Sequence, residues 1–256
     1  MKKKILVACL CVALAVLTIA GTTLAYLTST KEVKNTFTVG SVAINLDEAL
    51  VNTDGKPVDK DGNVVTDLAA AKRVFENSYK LMPGHTYTKD PTVTVVKGSE
   101  ASYVRMKVTF NKAQDIIAMC TDPEFADDGP TGIENAYPLT RMVKFVEANA
   151  AKWDGIIPDN MVDTEEMLAD AKYFAYDKAA DTLTYYYYYT ETVAAPDGNV
   201  VLPVLFDKIT VPGWATGDQL AKLEGFEINV VANAIQADGF DTAAKAWAAF
   251  DEATAD

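Results

Sequence analysis

One histidine, His85 in the stretch MPGHTYT, is the only imidazole in this 256-residue chain. Helical zinc proteases place two histidines at i and i+4 with a glutamate base beside them. A single histidine cannot supply that set. Serine and cysteine nucleophiles usually depend on a histidine base as well, and no nucleophile motif flanks His85. It reads as a turn residue beside Pro83 and Gly84. No glycine-rich run matches a phosphate cradle. The sequence therefore predicts no catalytic residue, no metal ligand and no cofactor.

Two clusters of carboxylates have the composition of calcium loops. DKDGN at residues 59–63 imitates the opening of an EF-hand loop. Val64 stands where that loop needs glycine and Ala70 where it needs a bidentate glutamate. DPEFADDG at residues 122–129 is looser still, so both read as solvated acidic turns. Cys9 and Cys11 lie in the apolar N-terminal run and Cys120 is the third cysteine. A chain processed past that run has no cysteine pair, and Cys120 reads as a small buried hydrophobe. TLTYYYYYTETV at residues 182–193 carries five consecutive tyrosines. A strand sends Tyr185, Tyr187 and Tyr189 to one face and Tyr186 and Tyr188 to the other. Packing, with hydroxyls near the rim, is the plain reading, and a glycan platform is the alternative.

The elements that position these groups read mostly as strands. TVTVVKG (92–98) and ASYVRMKVTF (101–110) flank a Gly-Ser turn. In the second, Val104, Met106, Val108 and Phe110 alternate with Tyr103, Arg105, Lys107 and Thr109, which predicts one buried and one wet face. GFEINVVANAIQA (225–237) alternates likewise. APDGN (195–199) is a turn, and the strand after it begins beyond Pro203, which lacks a ladder donor. LAAAKRVF (68–75) reads as a short helix, DTEEMLADAKYF (163–174) as a helix start, and DTAAKAWAAF (241–250) as a helix capped by Asp241. Residues 113–174 read as a loop- and helix-rich insertion. Many strands, Gly/Pro turns and few helices predict an all-β sandwich with short helical insertions and a C-terminal helix.

The N-terminus is a different kind of segment. Lys2, Lys3 and Lys4 precede residues 5–20, which are apolar apart from Thr18. Sixteen helical residues reach about 24 Å, short of the roughly 30 Å hydrocarbon core. Thr23 and Ala25 place small residues at the −3 and −1 positions of a signal-peptidase site, which predicts cleavage between Ala25 and Tyr26. Residues 1–25 are then a signal peptide and 26–256 one β domain. The C-terminal AFDEATAD carries no wall-sorting pattern, so the product is expected outside the cell. The formal net charge is −13, and the three lysines lost on cleavage take it to about −16. Such a surface repels phosphate backbones and argues against nucleic-acid partners.

After the cleavage site, NTFTVGSVAINLDE places Phe37 and Val39 on one parity and Val42, Ile44 and Leu46 on the other. The switch falls at Gly40-Ser41 and calls for a bulge or bend. The whole segment GTTLAYLTSTKEVKNTFTVGSVAINLDE resembles the N-termini of Firmicute proteins processed by SipW-type signal peptidases. YKLMPGHTYTKDPTVTVVKGSEASYVRMKV and FEINVVANAIQADGFDTAAKAW resemble later segments of the TasA/camelysin family of exported proteins. That resemblance implies a jelly-roll-like antiparallel β-sandwich. It further implies a biofilm-matrix or cell-surface fibre subunit of a Gram-positive-type bacterium, with a SipW-type peptidase and other matrix proteins as partners. It also implies self-association by donor-strand exchange, with residues 26–35 as an extended arm and Phe37, Val39 and Gly40 in the donor strand. The alternatives are a monomeric surface or glycan-binding module and a camelysin-like metalloprotease, the latter at odds with the single histidine.

Overall fold

The computed structural model describes residues 40–120, 142–155 and 173–254. These residues are mostly β: thirteen strands in three antiparallel sheets, with few short helices. The longest strand, β5 (Ser99–Asn111), is hydrogen-bonded along both edges. One edge carries β13 (Ile228–Gln236), paired from Ile228 opposite Phe110 to Gln236 opposite Ser102. The other carries β9 (Thr182–Tyr189), with Tyr185 opposite Val108, and then β10 (Val193–Ala195). The far edge of β9 takes β8 (Phe174–Asp177) and β7 (Trp153–Asp154). A second sheet runs β11 (Val200–Val201), β4 (Thr92–Val95), β1 (Ile44–Ala49), β2 (Arg73–Val74). The third is β3 (Thr86–Thr88), β12 (Phe206–Thr210), β6 (Val143–Phe145).

The alternation along β5 decides where the core lies. Val104, Met106, Val108 and Phe110 are fully buried, and they meet Val93 and Val95 of β4, Tyr87 of β3 and Phe206 and Ile209 of β12 in one cluster. All three sheets therefore share one core. The turn at Gly98 carries the chain between sheets rather than making a hairpin, since β4 pairs β1 and β11 while β5 pairs β9, β10 and β13. The turn after β10 does the same, because β11 pairs β4. Strands bracketing a tight turn thus separate, each to the sheet that covers its apolar face.

Several local expectations change. Residues 68–75 give only a 3-10 turn, Leu68–Ala70, capped by Asp67. The chain then extends into β2, because Arg73 pairs with β1 and reaches the carboxylates of Asp47 on β1 and Asp90 before β4. The stretch after Lys112 opens with α1 (Ala113–Cys120), a helix that buries Ala113, Ile116, Met119 and Cys120. Strands β6, β7 and β8 belong to sheets of the core, so the described parts of 113–174 are built into it. The helix start expected at Asp163 lies outside the described residues. Helix α2 (Gly217–Lys222) has a capping box from Thr216 and Gln219. In the C-terminal helix α3 (Ala243–Thr254) the cap is Thr242, whose Oγ1 accepts from Lys245 N at 3.3 Å, while Asp241 pairs with the Lys245 ammonium instead.

The expected wet face of β5 is not wet throughout. Helix α3 lies over it, and Arg105 is only 4% exposed. Its guanidinium stacks 4.6 Å from the Trp247 ring centre and 5.1 Å from Phe250. It donates Nε to Asn233 on β13 at 3.1 Å and holds Asp251 with both terminal nitrogens. A planar cation with five donors satisfies an aromatic slot and a carboxylate together. Trp247 is the apolar half of that latch. Trp247→Ala is expected to cost about 3 kcal/mol, the lower end for a buried large aromatic. Urea unfolding of the two proteins measures it.

Candidate functional site

A cleft of about 780 Å³ opens between β1, the segment after β2, and the chain leading into β13. Its lining contains unbroken runs: Leu46 to Glu48, Phe75 to Tyr79, and Leu223 to Val230. The face of a strand contributes alternate residues, so consecutive ones mark a strand edge or an irregular backbone. Among the described residues β13 pairs only with β5, which leaves its other edge without a strand. Its core-facing Ile228, Val230, Ala232 and Ala234 pack on the core yet stay half-exposed. Phe75, on the lip, is 88% exposed, which is rare for a phenylalanine.

Charge is arranged on the floor. Glu48 and Lys89 are both buried, and Lys89 Nζ donates to Glu48 Oε2 at 2.7 Å. Asn77 Nδ2 donates to Glu48 Oε1 at 2.9 Å and to the Ala49 carbonyl at 2.8 Å. Asp90, fully buried, accepts the Ala49 N–H at 2.7 Å and Arg73 Nη1 at 2.5 Å. Arg73 Nε also reaches Asp47 at 2.8 Å. Buried charges persist only when paired and hydrogen-bonded, and each of these is. Tyr79 closes the group: its hydroxyl donates to the Thr88 carbonyl at 3.1 Å. Burial, then the Glu48 and Asp90 carboxylates, push that phenol well above its ordinary range. Glu76, Glu224 and Glu227 add exposed acid at the rim. The cleft thus offers apolar walls, negative potential and a strand edge that is unpaired among the described residues.

Of the residues singled out by sequence, Ala25, Tyr26, Phe37 and Val39 lie outside the described residues. Gly40 is exposed, and a Cβ there would stand 2.9 Å from Glu100 Cγ. Ser41 next to it bridges Ser99 in parallel sense, so the chain reaches the head of β5 before turning into β1. Strand pairing in sheet order begins at Ile44, after the parity switch. His85 is exposed, its ring against the Pro83 carbonyl at 3.2 Å. Among the described residues no three of His, Cys, Asp and Glu are grouped to hold a metal ion. Asp59 turns inward on its own loop, accepting from Asp61 N and Asn63 N, and these bonds, Asn63 first, hold its carboxyl below the usual range.

The tyrosine strand is committed to packing. Tyr185 and Tyr187 are in the core, against Phe110, Phe174 and Phe145. Tyr188 meets Trp247 edge-on, and Tyr186 lies beneath Arg105 and Lys107. The expectation of hydroxyls near the rim fails for Tyr185 and Tyr187. Both hydroxyls are buried, with no hydrogen-bond partner among the described residues. The charged floor was not legible as a site, since Glu48 reads as the end of a strand and Lys89 and Asp90 as a loop before Pro91. A strand-terminal LDE and a KDP were the available signals, and neither specifies a contact.

The chain matches no protein-family model, no curated protein and no solved structure in comparisons with each.

Burial raises the Tyr185 and Tyr187 phenols well above their ordinary value, with Cys120 and Tyr185 respectively adding to it. The folded protein therefore holds those protons more tightly than the unfolded chain. These two phenols leave stability unchanged below about pH 10 and lower it as pH rises beyond that. In an alkaline absorbance titration, part of the tyrosine signal is expected to appear only together with loss of near-UV circular dichroism. His85→Ala, by contrast, is expected to shift unfolding by less than about 0.5 kcal/mol, as an exposed site does, and to leave the protein without stoichiometric zinc by elemental analysis.

Proposed function

We propose that this protein is a secreted, non-enzymatic structural subunit of a bacterial extracellular matrix or cell-surface fibre. In this reading it is a jelly-roll-like β-sandwich that self-associates by donor-strand exchange. The observation that carries the reading is the edge of β13 that pairs with no strand among the described residues and opens onto the cleft, where core-facing side chains stay half-exposed. An extended segment laid there gains main-chain hydrogen bonds from the edge and specificity from alternate side chains.

The donor is the arm before Gly40 of a neighbouring copy. It offers Phe37 and Val39 on one parity for the apolar wall, and Lys31 and Lys34 for the acidic rim. Cleavage between Ala25 and Tyr26 by a SipW-type peptidase releases it. The resemblance to the TasA/camelysin family supports the same assignment. A surface of about −16 charges keeps the free subunits soluble and away from nucleic acids.

Secreted protein is expected to begin YLTST on N-terminal sequencing. Deleting residues 26–35 is expected to leave a folded, soluble monomer that no longer forms fibres under the electron microscope. Val39→Pro is expected to block assembly too, by removing a ladder donor. A deletion variant that polymerises like the mature chain would show that the arm is not the donor.

A further inference from the structure

We propose that Lys89 and Asn77 become joined by an intramolecular isopeptide bond, formed spontaneously with Glu48 as the general acid–base catalyst. One carboxylate holds both reactants: Glu48 Oε2 accepts from Lys89 Nζ at 2.7 Å and Oε1 from Asn77 Nδ2 at 2.9 Å. The amide is fixed at its other atoms too. Nδ2 also donates to the Ala49 carbonyl at 2.8 Å, and Val51 N–H donates to Oδ1 at 2.9 Å. That backbone donor assigns the amide oxygen and sits where negative charge develops when a nucleophile adds to the carbonyl carbon. The Lys89 and Glu48 side chains are 9% and 8% exposed, and Tyr79 walls them in. The trio lines the cleft, which gives a leaving molecule a way out.

The step balances without any co-reactant. Lys89 Nζ starts with three protons. The first moves along its hydrogen bond to Glu48 Oε2 and leaves a neutral amine. The Nζ lone pair attacks Asn77 Cγ, the carbonyl electrons shift to Oδ1, and the Val51 N–H stabilises that charge. Attack needs Nζ within about 3–3.5 Å of Cγ, and sharing one carboxylate keeps the pair close. Protonated Glu48 then gives its proton to Nδ2 across the second hydrogen bond. The Cγ–Nδ2 bond breaks, its electrons leave with nitrogen, and ammonia departs. Nζ passes a second proton to the freed carboxylate and keeps the third as the amide N–H. Glu48 finally yields its proton to ammonia, giving ammonium and the starting carboxylate. Nothing is oxidised or reduced. The product ties the segment carrying Phe75 and the cleft wall to the residue that follows β3.

Tryptic peptide mapping of the full chain, denatured before digestion, tests this directly. A bonded Lys89 resists trypsin. The expected product is one branched peptide joining residues 74–80 to residues 81–97, lighter than the two together by one ammonia. Tandem mass spectra should place the branch at Asn77 and Lys89. Glu48→Gln is expected to abolish the branch and restore cleavage after Lys89, and Lys89→Arg to abolish it with the cation kept. Linear peptides ending at Lys89 in the unaltered protein would overturn the proposal whatever the variants do. A branch that persists in Glu48→Gln would overturn the role given to Glu48.

Discussion

Pairing of one strand along both of its edges is the constraint from which the architecture follows. Residues Ser99–Asn111 exchange backbone bonds with β13 on one side and with β9 and β10 on the other. A strand so placed cannot slip by one residue without turning Val104, Met106, Val108 and Phe110 out of the core. Those four side chains are the surface on which the other two sheets meet. The register also places Arg105 opposite Asn233 and under the C-terminal helix, so one alignment sets both the core and its outer cover.

Among the described residues charge is buried in two places and handled the same way in both. Arg105 is held between aromatic rings and the Asp251 carboxylate. Glu48 and Lys89 pair at the floor of the cleft, and Asp90 and Arg73 pair behind it. Such pairs add little stability compared with apolar side chains of equal size, yet removing one partner leaves the other stranded. They act chiefly by fixing which segments lie together. The floor network fastens β1, β2 and the chain after β3 to one another with no long strand ladder between them.

The cleft brings together the two functional ideas. In the proposed reading, its acidic rim, its unpaired strand edge and its half-exposed apolar wall receive an extended, lysine-bearing segment of another copy. Its floor holds an amine and an amide on one carboxylate. If the protein is the fibre subunit proposed, non-covalent exchange at an edge and covalent closure of the wall beside it would both strengthen it. The two use different atoms of the same region.

By itself, the sequence determined the β character and the positions of β4, β5, β9, β13 and the C-terminal helix. Each of these is a run whose period of 2 or 3.6 is local to it. Strand parity separated Tyr185 and Tyr187 from Tyr186 and Tyr188, and the packing decided which of the two faces is buried. Which strands share a sheet was decided only by tertiary structure: the chain changes sheets at the turn after β4 and again at the turn after β10, and local propensity does not encode the partner. Tertiary packing likewise took the polar face of β5 at Arg105 out of water, because the helix that covers it lies more than a hundred residues away. It reduced residues 68–75 to one 3-10 turn, since Arg73 gains two carboxylates by extending. And it gathered Asn77 and Lys89 from unremarkable local contexts onto the buried Glu48 carboxylate, a contact that exists only once the segments that follow β2 and β3 are placed beside β1.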